Sequence, residues 1–117
     1  MAGKKKNFEV DQNTTFKFQI QYTEDDETTP IDLTGATAKM QVRDTAGGTK
    51  LAFTLTSPSG GIIIDGSTGT LNFTITPTQT NKLFYPKSAY DVMVIDSNGN
   101  KIKLLEGFMT LSRSVTI

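Results

Sequence analysis

The sequence predicts an all-β fold, a single antiparallel sandwich of about seven or eight strands with one short helix across an end. Three observations predict it. Apolar and polar residues alternate with period two through much of the 117-residue chain. Turn-forming clusters of Gly, Pro, Asn, Asp and Ser recur about every ten residues, the rhythm of a sandwich. The marked compositional excess is nineteen threonines, a residue that favours strands.

The elements follow in order. Residues 1–7, with Lys4, Lys5 and Lys6 and no apolar stretch behind them, read as a flexible basic arm rather than a secretory signal. The domain proper then spans 8–117. Phe8 and Val10 form a short first strand before the turn-prone Asp11-Gln12-Asn13. Phe16, Phe18, Ile20 and Tyr22 alternate with polar residues in a half-buried strand. The acidic stretch from Glu24 to Glu27, closed by Pro30, is a solvated loop, since it lacks the Gly and alternating ligands of a calcium loop. Ala36, Ala38, Met40 and Val42 give the next strand its dry face, and the cluster Asp44 to Gly48 turns it into Leu51, Phe53 and Leu55. Ile62 to Ile64 and Leu71 to Ile75 flank the turn at 65–69. In Thr76-Pro77-Thr78-Gln79, Thr76 can cap a helix, Pro77 tolerates the first helical position, and Gln79 can close a capping box. Leu83 and Phe84 then plug an end of the sandwich.

Asn98-Gly99 is the strongest short hairpin signal in the chain. A two-residue loop there sets Met93 opposite Leu104, Val94 opposite Lys103, Val92 opposite Leu105, Tyr90 opposite Gly107 and Ser88 opposite Met109. Both faces of this hairpin are largely apolar. One must line the core; the other, taken as Tyr90, Val92, Val94, Leu105 and Met109, must be covered by a neighbouring segment of the chain or by another molecule, and a partner molecule is the preferred expectation. The same register sets Asp91 directly across from Glu106, two carboxylates with Cβ atoms roughly 5 Å apart. A glycosidase pair would have that separation, but the chain has no Trp and no long aromatic loops to grip a sugar. A hard cation needs more oxygen ligands than two. The favoured reading is a structural cluster in which Arg43, or Lys39, or a cation from a neighbouring subunit, pairs with both acids.

Composition bounds the chemistry. Twelve Lys+Arg balance twelve Asp+Glu, which argues against a protein whose main task is to neutralise phosphates, and no direct nucleic-acid role is expected. With no Cys and no His there is no disulfide, no thiol or imidazole nucleophile, and almost no transition-metal chemistry. No enzyme activity, cofactor or metal is expected. No stretch approaches the eighteen or so apolar residues of a membrane helix, and no membrane role is expected.

The ordered segments Ile31 to Arg43, with Asp32-Leu33-Thr34-Gly35 leading into a strand, Gly61 to Asp65, Thr68 to Leu71, Tyr90-Asp91-Val92 and Leu104 to Gly107 resemble a family of small tailed-bacteriophage virion proteins. These are similar in plan to the N-terminal immunoglobulin-like domain of baseplate upper proteins. The resemblance covers roughly residues 8 to 115. It implies an immunoglobulin-like sandwich, a place in the virion, and partners among tail, neck, baseplate or capsid proteins, in several copies. It makes Asp91 and Glu106 part of the pattern without a catalytic role. Where the chain has Leu83-Phe84-Tyr85-Pro86-Lys87, the resembling sequences have a smaller Gly-containing turn, so Phe84 and Tyr85 are expected to make a local contact. The reading is a non-enzymatic virion structural protein that docks through its edges and termini, Lys4 to Lys6 included. The alternatives are a head decoration protein and a carbohydrate-binding adsorption module that would use Phe84 and Tyr85.

Overall fold

A computed structural model describes residues 4–23, 29, 31–45, 47–57, 60–84 and 86–113. Among them are nine strands: β1 (Lys4–Lys5), β2 (Phe8–Asp11), β3 (Phe16–Gln21), β4 (Thr37–Arg43), β5 (Leu51–Thr56), β6 (Ile62–Asp65), β7 (Thr70–Ile75), β8 (Lys87–Ile95) and β9 (Lys101–Ser112). The larger sheet runs β9, β8, β4, β5, with β1 and β2 laid parallel on the free side of β9; the smaller runs β3, β7, β6. This distribution puts β3, β7 and β6 at the B, E and D positions and β4, β8 and β9 at the C, F and G positions of an immunoglobulin-like sandwich. The expected fold class is therefore the observed one.

Every strand but β1 lends residues to one core. Met40, Val42, Leu55, Ile62, Leu71, Phe73, Ile75, Val92, Val94 and Met109 are at most 1% exposed, each contributing about 1.5–3 kcal/mol by burial. Between the sheets lies an aromatic seam. Phe8 of β2 meets Phe16 and Phe18 of β3 at 5.5 and 4.5 Å between ring centroids, and Tyr90 of β8 at 5.7 Å. Phe18 stacks on Phe73 of β7 at 4.4 Å. The seam ties the sheets in a chain with no cysteine.

The helix forms as its local signals require. In α1 (Pro77–Thr80) the Thr76 side chain accepts from the Gln79 amide and the Gln79 side chain accepts from the Thr76 amide, with Pro77 in the first turn. The buried Thr80 hydroxyl donates to the Thr14 carbonyl at 3.0 Å, joining the helix to the turn before β3. Leu83 is buried behind it.

Three expectations are corrected. Residues 4–7 are not an arm: Lys4 and Lys5 pair with Leu105 and Glu106 as a parallel strand, and the Lys6 amide donates to the Glu106 carbonyl at 2.9 Å. Main-chain bonding made this strand, which the side-chain pattern of three lysines does not show. The Tyr90 hydroxyl donates to the Lys6 carbonyl at 2.6 Å, and burial raises that phenol's pKa. Gly107 leaves the space, since a Cβ there would collide with the Lys6 carbonyl.

The second correction is the turn of the last hairpin. Gly99 donates to the Asp96 carbonyl at 3.0 Å with φ +87°, and Asn98 does not have positive φ. The loop is thus a type I turn closed by a left-handed glycine, longer than the two-residue loop expected. Asp96 selects it, because its carboxylate accepts from the amides of Asn98 and Asn100, both at 2.9 Å. Near the turn the register shifts by one: Ile95 faces Lys101, Val94 faces Ile102 and Met93 faces Lys103. A bulge between Val92 and Met93 then absorbs Leu104, and beyond it Val92 faces Leu105, Asp91 faces Glu106 and Tyr90 faces Gly107, as expected.

The third correction follows from burial. Tyr90, Val92, Val94, Leu105 and Met109 are all no more than 4% exposed. They form the core face of the hairpin and offer no surface to a partner.

Replacing Tyr90 with Phe should cost about 1–1.5 kcal/mol in urea unfolding and speed hydrogen exchange at the Lys6 amide, as β1 loses its anchor. Asp96 gives a pH-dependent test. The Asn100 amide, first among its donors, lowers the carboxyl pKa below the ordinary value. A carboxylate lowered on folding stabilises the fold above its ordinary pKa and loses that effect as pH falls through its folded value. Asp96→Asn should therefore melt below the parent at neutral pH, and the two curves should converge in acid.

Candidate functional site

With its inner face spent on the core, the hairpin presents Ala89, Asp91, Met93 and Ile95 of β8, and Lys101, Lys103, Glu106 and Phe108 of β9, on the outer face of the larger sheet. Lys39, Gln41 and Arg43 of β4 continue that face, since Gln41 pairs with Asp91 and Arg43 with Ala89. A depression of about 460 Å³ crosses these strands, lined by Lys5, Gln41, Arg43, Asp91, Lys103, Glu106 and Phe108 among others.

Its centre is the expected pair of carboxylates, Asp91 directly across from Glu106. Like charges in that position repel, and a cation between them relieves it. That cation is Lys103, whose Nζ lies 3.9 Å from Asp91 Oδ2 and 3.7 Å from Glu106 Oε1. Arg43 does not serve: its guanidinium donates to the Gly48 carbonyl at 3.2 Å and to Gln41 Oε1 at 3.0 Å. Lys39 makes no ion pair among the described residues. The reason is the bulge. Without Leu104 as an extra residue, Lys103 would face inward opposite Val94; with it, Lys103 turns outward beside both acids. The doublet Leu104-Leu105, with both side chains buried, is the sequence signal that marks the bulge.

The cluster is open to solvent. The side chains of Asp91, Glu106 and Lys103 are 42%, 37% and 45% exposed, so the pairs stabilise the fold by at most about 1 kcal/mol. Two carboxylates share one lysine, and Phe108, 39% exposed, borders them with the Lys87 ammonium 4.6 Å from its ring centroid. Phe108, like Lys103, was not singled out from the sequence. Its alternation places it outward on β9, and the apolar character of both hairpin faces hid that.

The other expected contacts are scattered. Lys5 borders the depression, whereas Lys6 holds its Nζ 5.5 Å from the Phe8 ring centroid on β2. Lys4 lies in β1. Phe84 is half-buried and its amide donates to Ser88 Oγ at 2.8 Å, so it closes the loop after α1. Tyr85, the acidic stretch 24–27 and the tail beyond Arg113 lie outside the described residues. No group of three His, Cys, Asp or Glu side chains able to hold a metal occurs among the described residues, and no helix there is long and apolar enough to cross a membrane.

No protein-family model matches the chain, and no curated protein matches it.

If Lys103 is the cation that reconciles the two acids, Lys103→Ala should lower stability by about 1 kcal/mol or less in low salt. The loss should shrink in 1 M salt, where the Debye length is about 3 Å. Arg43→Ala should leave the salt dependence unchanged.

Proposed function

We propose that this chain is a non-enzymatic structural protein of a bacteriophage virion that docks on a tail, neck or baseplate assembly. The observation that carries the docking part is the open face just described: in a depression of about 460 Å³, which Lys5 and Arg43 also line, two exposed carboxylates share the single ammonium of Lys103. A partner's arginine or lysine would complete that cluster, and Phe108 beside it supplies apolar contact. The virion part rests on the resemblance of segments 31–43, 61–65, 68–71, 90–92 and 104–107. These segments fall on β4 and the loop leading into it, on β6, on the turn into β7 and on the β8–β9 pair, so they lie in both sheets and on the charged face. Attachment to the head as a decoration protein would use the same surface.

A second reading, adsorption to a glycan, is favoured by one feature: the Phe108 ring and the amides of Asn7 and Gln41 border the same depression. An aromatic ring with amide and carboxylate groups is a suitable lining for a polyol.

Asp91→Asn combined with Glu106→Gln keeps the shapes and removes the charges. Phage particles made with this variant should incorporate it at least about tenfold less than the parent, the effect of ~1.4 kcal/mol in docking, while the purified domain stays folded. Normal incorporation would defeat the docking reading. Binding of the parent to a glycan array, lost in Phe108→Ala, would favour the second reading.

A further inference from the structure

The smaller sheet is short of a strand. In a sandwich of this topology four strands occupy that sheet, the fourth lying beside the B position. Here both N-terminal strands pair with β9, leaving β3 as an edge with nothing beside it among the described residues.

The main chain fixes which groups are left over. Tyr22 donates to the Gly69 carbonyl at 2.8 Å, continuing the register of β3 with β7. Alternate residues share a direction, so Phe16, Phe18 and Ile20 turn their amides and carbonyls toward β7. Lys17, Gln19 and Gln21 turn theirs outward. That is a row of three donors and three acceptors without partners among the described residues. On the larger sheet's edge strand β5, the last outward residue is satisfied within the chain, since the Thr56 amide and carbonyl are both taken by Gly60, at 3.0 and 2.9 Å.

Burial shows the same gap. Phe16, Phe18 and Ile20 pair with Ile75, Phe73 and Leu71 and point into the same core. The β7 members are 0–1% exposed, yet the β3 members are half-buried. Cover is missing on the side away from β7, next to the Phe8 ring.

We propose that this edge accepts an extended strand from a partner protein, apolar at alternate positions to cover Phe16 and Phe18 and acidic at an outward position beside Lys17. The acid is assigned by charge. Lys17 is the one charged residue of β3, on its exposed face, and Lys6 stands on the other rim over Phe8. A lysine in an edge strand discourages pairing with its own kind and favours a carboxylate across the strand. Addition of a strand to a sheet edge is an established mode of peptide recognition. The inference stands whichever assembly the protein joins.

The test uses the full chain, ¹⁵N-labelled, with three synthetic peptides, Thr-Val-X-Val-Thr-Val-Thr, where X is Glu, Thr or Lys. The Glu peptide should shift the amide resonances of Lys17, Gln19 and Gln21, slow their hydrogen exchange, and bind about two- to fivefold more tightly than the Thr peptide, with the Lys peptide weakest. Lys17→Glu should reverse that order. Gln19→Pro removes an outward amide without touching the β7 ladder and should abolish binding while the domain remains folded. No binding by any of the three, shifts that map away from β3, or an order indifferent to the charge at position 17 would overturn the proposal. Protection of the same three amides that grows with protein concentration and no peptide would also overturn it, naming a second copy as the occupant.

Discussion

The pairing of β9 sets most of what the larger sheet does. On one side β9 holds β8 in an antiparallel hairpin; on the other it receives β1 and β2 in parallel, so strands from both ends of the chain meet on it. Side chains alternate strictly along a strand, and a shift of one residue would exchange the core with the surface. The turn at Asp96 to Asn100 introduces such a shift. The bulge at Leu104 cancels it, so that Leu105, Met109 and Leu111 still point inward while Lys103 and Glu106 point out. The charged face is therefore a consequence of the same register that packs the core.

The second constraint is that the sheets must adhere without a disulfide. An aromatic seam takes that part, with Phe18 stacked on Phe73 and Phe8 reaching from β2 to both β3 and Tyr90. Ring pairs of this kind add about 0.5–1.5 kcal/mol each beyond their burial. Tyr90 serves twice, with its ring in the seam and its hydroxyl on the Lys6 carbonyl, so the first strand and the core depend on one residue. The recruitment of the N-terminal strands to β9 also leaves β3 uncovered. Completion of one sheet and incompleteness of the other have a single origin.

How much of this could be read from the residues depends on the range of the interaction. The capping box at Thr76 and Gln79 acts over three residues and was legible, as were the alternating faces of β3, β4 and β7 and the placement of Asp91 across from Glu106. The turn was not, because Asn98-Gly99 suits a two-residue loop as well as a type I turn closed by glycine, and the choice is made by Asp96 accepting from two later amides. One residue of error at the turn carried Lys103 to the wrong face, and with it the identity of the bridging cation. The strand at Lys4 and Lys5 was hidden for another reason: it is held by main-chain bonds to residues a hundred positions away, and three lysines show no alternation. Likewise, the hairpin's two apolar faces could not be told apart until β4 and the smaller sheet were in place to bury one of them.

The register of β8 on β9 is the claim on which the core, the charged face and the N-terminal strands all rest. Cross-strand nuclear Overhauser effects in the labelled protein measure it directly. The account predicts contacts joining Met93 with Lys103 and Val94 with Ile102 on the turn side, and Val92 with Leu105 and Tyr90 with Gly107 beyond the bulge. An unbroken ladder that places Met93 opposite Leu104 and Val94 opposite Lys103 would contradict it.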